Sequence, residues 1–329
     1  MTPRRVLMTA DAVGGVWTYA LDLAGALAAR GVRTLLAVPG PPPDAAQRAQ
    51  ALAVPGLVLR LMEAPLDWLA DSPDGVRGAG ASIAALAQRE GDIDLVHLNS
   101  PALAAGVQFP APVLANCHSC VATWWRVVRG GPMPADFRWR AALVAEGLRA
   151  AQARIAPTGD FARIVRDTYD LREVPRTVRN GRRLPAAAAA EPPADYAFTA
   201  GRLWDAGKDL ATVDAAAARL AVPVVAAGPT VGPHGEAITL PRLRLVGTLT
   251  PAGIDAHLAR RPVFVSAARY EPFGLAVLEA AAAGCALVLA DTPVFRELWD
   301  GAAAFFPAGD DAALAGRVAA LMADPAARD

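Results

Sequence analysis

Short apolar runs alternate with longer stretches of helical periodicity along this sequence, and that alternation limits the fold more than any other feature. Strands covered on both faces read as continuous runs of Val, Leu, Ile and Ala, and parallel neighbours need a crossover, usually a helix, between them. The pattern predicts an α/β chain of βαβ units, with doubly wound and mainly parallel sheets. In the first half, strands are expected near residues 6–9, 34–38, 58–62, 95–98, 113–116 and 154–156.

A second series follows the stretch 184–194 (LPAAAAAEPPA), which lacks core periodicity and reads as a linker. Its strands are expected near 196–200, 222–226, 243–246, 263–266 and 286–290. At 329 residues the chain exceeds what one core usually supports. Two Rossmann-like domains facing a central cleft are therefore expected, with bounds 1–183 and 184–329.

Lys+Arg and Asp+Glu each number 32, so no global basic field draws the chain towards nucleic acid, and a bound anion must be held locally. The three cysteines, Cys117, Cys120 and Cys285, are too few for a disulfide framework and suggest a reducing, cytoplasmic setting. The first apolar run breaks at Asp11, too early for a secretion signal. Residues 273–290 approach the length of a membrane span, but Glu279 and the Gly284-Cys285 break divide them into a helix and a strand.

Ligands of open α/β sheets sit beyond the carboxyl ends of the strands, and four motifs fall there. Asp11-Ala12-Val13-Gly14-Gly15-Val16-Trp17 opens an amphipathic helix. Gly14 and Gly15 there could admit a phosphate or sugar to unpaired N–H groups, or could serve only a tight turn. In Asn116-Cys117-His118-Ser119-Cys120, His118 reads as a polar contact to substrate, with a satisfied buried histidine as the alternative. The Cys pair has no second pair, and His97, His234 and His257 are scattered, so metal or redox use is not expected.

The third motif, Gly201-Arg202-Leu203-Trp204-Asp205-Ala206-Gly207-Lys208-Asp209, has five residues between glycines where a Walker loop has four, and Asp209 follows the lysine. Arg202 and Lys208 suit an anionic leaving group, with solvated surface charges as the alternative. On the first reading the partner of Lys208 is a phosphate, absent from the free protein.

The fourth motif, Glu271-Pro272-Phe273-Gly274-Leu275-Ala276-Val277-Leu278-Glu279, carries two glutamates eight residues apart. On a continuous helix they would stand ~80° apart around the axis and ~12 Å apart along it. A retaining glycoside hydrolase needs its carboxylates roughly 5 to 5.5 Å apart, so one of these must bind rather than attack. Glu279 lies in an otherwise apolar stretch, where a ligand hydroxyl or a cation has to meet it; a structural ion pair is the alternative.

These residues together resemble the retaining GT-B glycosyltransferases of family 4. GGVWTYALDLAGALAARG is similar to that family's opening loop and helix, and DLVHLN and the His118 strand end to its N-terminal landmarks. Pro157 to Phe161 and Asn180-Gly181 resemble its domain junction; TAGRLWDAGKDL, VVAAGP, RLVGTL and EPFGLAVLEAAAAG follow in the family's order. The resemblance implies a hexosyltransferase using a nucleotide-diphosphate sugar. Arg202 and Lys208 would hold the diphosphate, Glu279 the ribose, and Glu271 the transferred sugar. Backbone N–H groups at Phe273, Gly274 and Leu275 would assist, Gly228, Pro229 and Val246 would border the base, and His118 would meet the sugar. No cofactor or metal is implied, because two cations and a helix N-terminus can stabilise the leaving group.

The sequence departs from the family in two places. Asp209 stands where a glycine is common, and relatives continue beyond Asp329 in a segment that crosses back, so a shortened chain or a closure braced differently is expected. Trp124, Trp125 and Trp139, with Arg126, Arg129, Arg138 and Arg140, occupy a region that binds acceptors in relatives. They suggest a glycan, lipid-linked or small-molecule acceptor and peripheral contact with the inner face of a membrane, or else a packed loop. A sugar-nucleotide epimerase of the same architecture and a non-catalytic sugar-nucleotide or partner-binding protein are the competing functions.

Overall fold

A computed structural model of the chain describes residues 3–183, 193–233 and 235–328. Most of the expected linker and His234 lie outside the described residues. The chain divides into two compact units, the first ending at Gly181 and the second beginning at Arg182.

In the first unit the strands are β1 (Arg5–Thr9), β2 (Arg33–Val38), β3 (Leu57–Leu61), β4 (Leu95–Leu98), β5 (Val113–Asn116), β6 (Ala153–Ala156) and β7 (Arg176–Thr177). They form one parallel sheet in the order β3-β2-β1-β4-β5-β6-β7. The helices are α1 (Gly15–Ala28), α2 (Ala45–Leu52), α3 (Pro73–Glu90), α4 (Val121–Val128), α5 (Ala135–Ala150) and α6 (Gly159–Tyr169). Met8, Leu36 and Val38 of the sheet pack with Trp17 and Ala20 of α1, so the amphipathic stripe after Gly15 becomes the cover of β1 and β2. After β4, a 3-10 turn (Pro101–Ala104) lies against α3 and α5. A Cβ at Gly80 would collide with the Leu103 carbonyl, and one at Gly147 with the Pro101 carbonyl, so small residues fix how closely those helices approach the loop that follows Asn99.

The second unit repeats the plan. Its elements are β8 (Ala197–Ala200), α7 (Leu210–Ala217), β9 (Val224–Ala227), β10 (Arg244–Gly247), α8 (Pro251–Leu258), β11 (Val263–Ser266), α9 (Leu275–Ala282), β12 (Leu287–Ala290), α10 (Pro293–Trp299), β13 (Ala304–Phe306), α11 (Asp311–Ala323) and α12 (Pro325–Arg328). The sheet order is β10-β9-β8-β11-β12-β13, again all parallel. Alternate side chains enter opposite cores. Val263 and Val265 face Val213, Phe306 and Leu314, whereas Phe264 joins Phe198, Leu289 and Phe295. Each such side chain contributes roughly 1.5–3 kcal/mol by burial.

The strands anticipated from sequence lie within two residues of those observed. β7 and β13 were not anticipated: β7 is two residues long with no apolar run, and β13 is a three-residue edge in an Ala-rich stretch. Among the described residues no helix is long and apolar enough to cross a membrane. The stretch 273–290 divides into α9 and β12.

Candidate active site

In each unit the strand order reverses beside the first strand, between β1 and β4 and between β8 and β11. Such a reversal opens a crevice at the carboxyl ends of the strands.

At the reversal in the second unit, β8 runs through Gly201 into a turn that ends at Lys208. The turn is built around Asp205, a buried carboxylate that accepts from Gly207 N (2.8 Å) and from Arg202 Nη2 (3.0 Å). Its carbonyl at Gly207 accepts from the N–H groups of Arg269 (2.9 Å) and Tyr270 (3.1 Å), which ties it to the loop after β11. That tie brings Lys208 Nζ onto Glu271 Oε2, an ion pair whose partners are both largely buried. The free protein therefore supplies a partner for Lys208, contrary to the expectation that only a phosphate would. Asp209 adopts a left-handed conformation (φ 51°), which accounts for a glycine being suitable there and for Asp, one of the more tolerant non-glycine residues, standing in its place.

Arg202 is less committed to the crevice than expected. Its side chain is 58% exposed, bonds back to Asp205, and lies 5.8 Å from the Trp204 ring centroid.

The two glutamates do not share a helix. α9 starts at Leu275 with Gly274 as its N-cap in a left-handed conformation (φ 90°), so Glu271 belongs to the preceding loop and the spacing drawn along a continuous helix does not apply. Phe273 is buried and anchors this entrance; the first N–H groups of α9, from Leu275 onward, lack intrahelical acceptors.

Glu279, in the second turn of α9, is met by a cation of the protein itself: Arg182 Nε donates to its Oε1 at 2.6 Å. The ion pair offered as the alternative for Glu279 is thus formed.

Two cavities adjoin here. A small one, about 30 Å³, is lined by Gly201, Lys208, Glu271 and Ala276. A larger one, about 260 Å³, shares Gly201 and Ala276 and extends over Gly228, Pro229, Thr248 and Leu249 to Glu279. Gly228 (φ 142°) is pressed against the Gly201 carbonyl, where a Cβ would collide, and its N–H donates to Gly247 O at 2.8 Å. Val246 packs, partly buried, against the hydrophobic core, and Thr248 and Leu249, two and three residues on, line the cavity.

At the first unit's reversal a hydrogen-bond network of neutral side chains surrounds His118, with the carboxylates of Asp11 and Asp67 near it. Asn99, just beyond β4, donates its backbone N–H to Thr9 Oγ1 (2.9 Å) and its side-chain amide N–H to Thr9 O (2.7 Å). That fixes its oxygen towards His118 Nε2, 2.9 Å away, so the imidazole carries its proton on Nε2. With the proton there, the Asn116 amide is better satisfied turned over: its nitrogen is placed 3.0 Å from Nε2 and its buried oxygen has no partner. Tyr19 packs edge-on to His118, with centroids 4.5 Å apart, and its hydroxyl lies 3.1 Å from the Asn116 amide. Burial, with the neighbouring His97, pushes His118 down to about 3, and burial pushes His97 down to about 4. His118 is thus a neutral ring with Nδ1 as a hydrogen-bond acceptor, unsuited to carrying a proton near pH 7.

Gly14 differs from expectation. Its backbone is extended, and its N–H, like that of Val13, donates to Asp11 Oδ1 (3.1 and 3.0 Å), so an Asp-centred turn occupies it; Gly15 starts α1. Cys117 and Cys120 flank His118 as free thiols. Cys120 caps α4, with its sulfur 2.8 Å from Tyr169 Oη and 3.1 Å from Thr123 Oγ1. Burial raises its thiol, but hydrogen bonds with Cys117, Thr123 and Tyr169 prevail and bring it to about 7. Among the described residues no three His, Cys, Asp or Glu side chains gather as a metal ligand set.

Sequence reasoning did not single out Asn99, Tyr19, Asp205 or Arg182. Asn99 had a signal, a polar residue ending the apolar run DLVHL. Arg182 had none, since its partner lies 97 residues away.

Two parallel sheets, each reversing at its first strand, define the GT-B class of glycosyltransferases. The sequence profile of Glycosyltransferase Family 4 matches residues 13–184, more than half of the chain, and that of Glycosyl transferases group 1 matches 238–329; the chain belongs to Glycosyltransferase Family 4. Its fold is similar to that of sucrose-phosphate synthase from Thermosynechococcus elongatus (TM-score 0.77, 18% identity, 99% of this chain and 91% of that one). It is also similar to the catalytic domain of starch synthase IV from Arabidopsis thaliana bound to ADP and acarbose (TM-score 0.72, 13% identity, 99% and 92%), and to TarM (TM-score 0.73, 10% identity, 100% and 93%). No curated protein sequence matches the chain significantly.

Proposed function

We propose that this glycosyltransferase moves a hexosyl group from a nucleotide-diphosphate sugar to an acceptor with retention of configuration and without a metal ion. The observation that carries the reading is the pair of adjoining cavities in the second unit: a small one with Lys208 and Glu271, and a larger apolar one ending at Glu279. A nucleoside fits the apolar cavity and a diphosphate the lysine.

Transfer builds negative charge on the leaving diphosphate. Lys208, Arg202 and the open N–H groups of α9 supply the compensating charge that a divalent ion would otherwise bring. Lys208 releases Glu271 as it takes up the phosphate, and Glu271 then accepts from hydroxyls of the transferred sugar. His118, neutral, contributes a hydrogen bond to that sugar through Nδ1. The leaving phosphate takes the acceptor proton on the same face. The first unit is the acceptor-side domain and the second the donor domain.

Arg129, just after α4, lies 5.7 Å from the Trp124 ring centroid, and on α5 Arg140 lies 4.2 Å from that of Trp139. This aromatic and cationic surface suits a glycan or lipid-linked acceptor, and peripheral contact of a cytoplasmic enzyme with the inner face of the membrane.

The test is incubation with UDP-, GDP- and ADP-hexoses and an acceptor panel in EDTA, with the anomeric configuration of the product read by NMR. A retained anomer formed at the metal-replete rate supports the reading. An inverted anomer, an epimerised donor without transfer, or activity only with added metal contradicts it.

A further inference from the structure

Among the described residues, Glu279 is the only charged side chain lining the larger cavity, whose walls include Gly228, Pro229, Leu249 and Ile254. A carboxylate against such walls loses hydration, and Arg182 offsets the loss with a charge-assisted hydrogen bond of 2.6 Å. The two side chains are only 21% and 20% exposed, so the contact is screened less than a surface pair. Ion pairs of this kind seldom raise stability above that of an apolar replacement, so its effect is better sought in the orientation of the carboxylate. The contact uses one oxygen. Among the described residues Oε2 makes no hydrogen bond.

Resting on the donor-site reading above, we infer that Arg182 is a positioning residue for the donor's ribose. By holding Oε1 of Glu279, it turns Oε2 to accept from a ribose hydroxyl and makes the site prefer ribonucleotides to deoxyribonucleotides. A planar guanidinium with Nε on a carboxylate oxygen fixes the carboxylate plane in a way that a flexible ammonium does not. Arg182 touches no substrate in this scheme and acts on the ribose through Glu279.

The experiment is calorimetric titration of the full chain with UDP, GDP and ADP, followed by the 2′-deoxy form of whichever binds most tightly. It is run on the wild type, Arg182→Ala, Arg182→Gln, Arg182→Lys and Glu279→Gln. The wild type is expected to favour the ribonucleotide by about tenfold, the worth of one hydrogen bond to a charged group. Arg182→Ala and Arg182→Gln should bring that ratio close to one while leaving affinity for the 2′-deoxy form within about threefold, and Arg182→Lys should recover part of the ratio. A merely structural role would weaken both nucleotides alike. A ratio unchanged in Arg182→Gln, or tighter binding once the arginine is removed, overturns the inference while Glu279→Gln still shows the ribose site. A wild type that binds none of the three nucleotides overturns the donor-site reading itself. Should Arg182→Ala fail to fold, Arg182→Gln and Arg182→Lys give the same comparison.

Discussion

The two sheets reverse strand order at the same point, beside the first strand of each, yet the side chains gathered there differ in chemistry. In the second unit, Lys208 with Glu271 and Arg182 with Glu279 place opposite charges side by side. In the first, Thr9, Asn99, Asn116, Tyr19 and His118 form a neutral network whose histidine is held without charge. The scaffold sets where a ligand sits, and the residues at the strand ends set what it can be. One crevice holds two ion pairs, and in the other neutral polar side chains surround the histidine.

The largest effect expected from breaking this contrast is that of Lys208→Ala, which removes the crevice cation. Turnover should fall by about 10²–10³-fold, the usual cost of losing one group that stabilises developing charge. Because Glu271 is left without its partner, melting should also shift modestly. Wild-type transfer rates in the variant would remove Lys208 from the diphosphate. Glu279→Ala should raise the dissociation constant for the nucleoside diphosphate by about ten- to a hundredfold, read by calorimetry, and should affect kcat less than KM.

The network around His118 has its own signature. In the unfolded chain His97 and His118 take up protons below about pH 6.5, but in the folded chain they remain neutral down to about 4 and about 3. The unfolded state therefore binds more protons in this window, and stability falls as pH falls from 6.5 towards 4, by at most ~1.4 kcal/mol per pH unit for each histidine. Thermal melts between pH 7 and 4.5 should show a shallower slope for His118→Asn than for the wild type; parallel slopes would mean that His118 is not held neutral. The smallest effect concerns the thiol beside it. Alkylation of Cys120 by iodoacetamide should rise through about pH 7, while Cys285, pushed up to about 12 by burial, stays unlabelled.

The doubly wound pattern was legible because strands buried on both faces write themselves as apolar runs, and the turns after β1, β5, β8 and β11 carried their polar residues in sequence. Pairing was not legible. That Lys208 meets Glu271 depends on Gly207 O accepting two N–H groups from the loop after β11, a long-range contact with no local signature. At Gly14 the turn read as the alternative is the one formed. Its place after a strand suggested a ligand site, but Asp11, three residues earlier, had already claimed its N–H. The apolar stretch around Glu279 signals the need for a partner, but nothing local in the sequence points to Arg182 as that partner.

The charged crevice is tested most directly by titrating the purified protein with UDP, GDP and ADP in EDTA. One of them is expected to bind with about micromolar affinity, and added magnesium to leave this affinity unchanged. Binding by none of the three, or binding that appears only with a divalent ion, would contradict it.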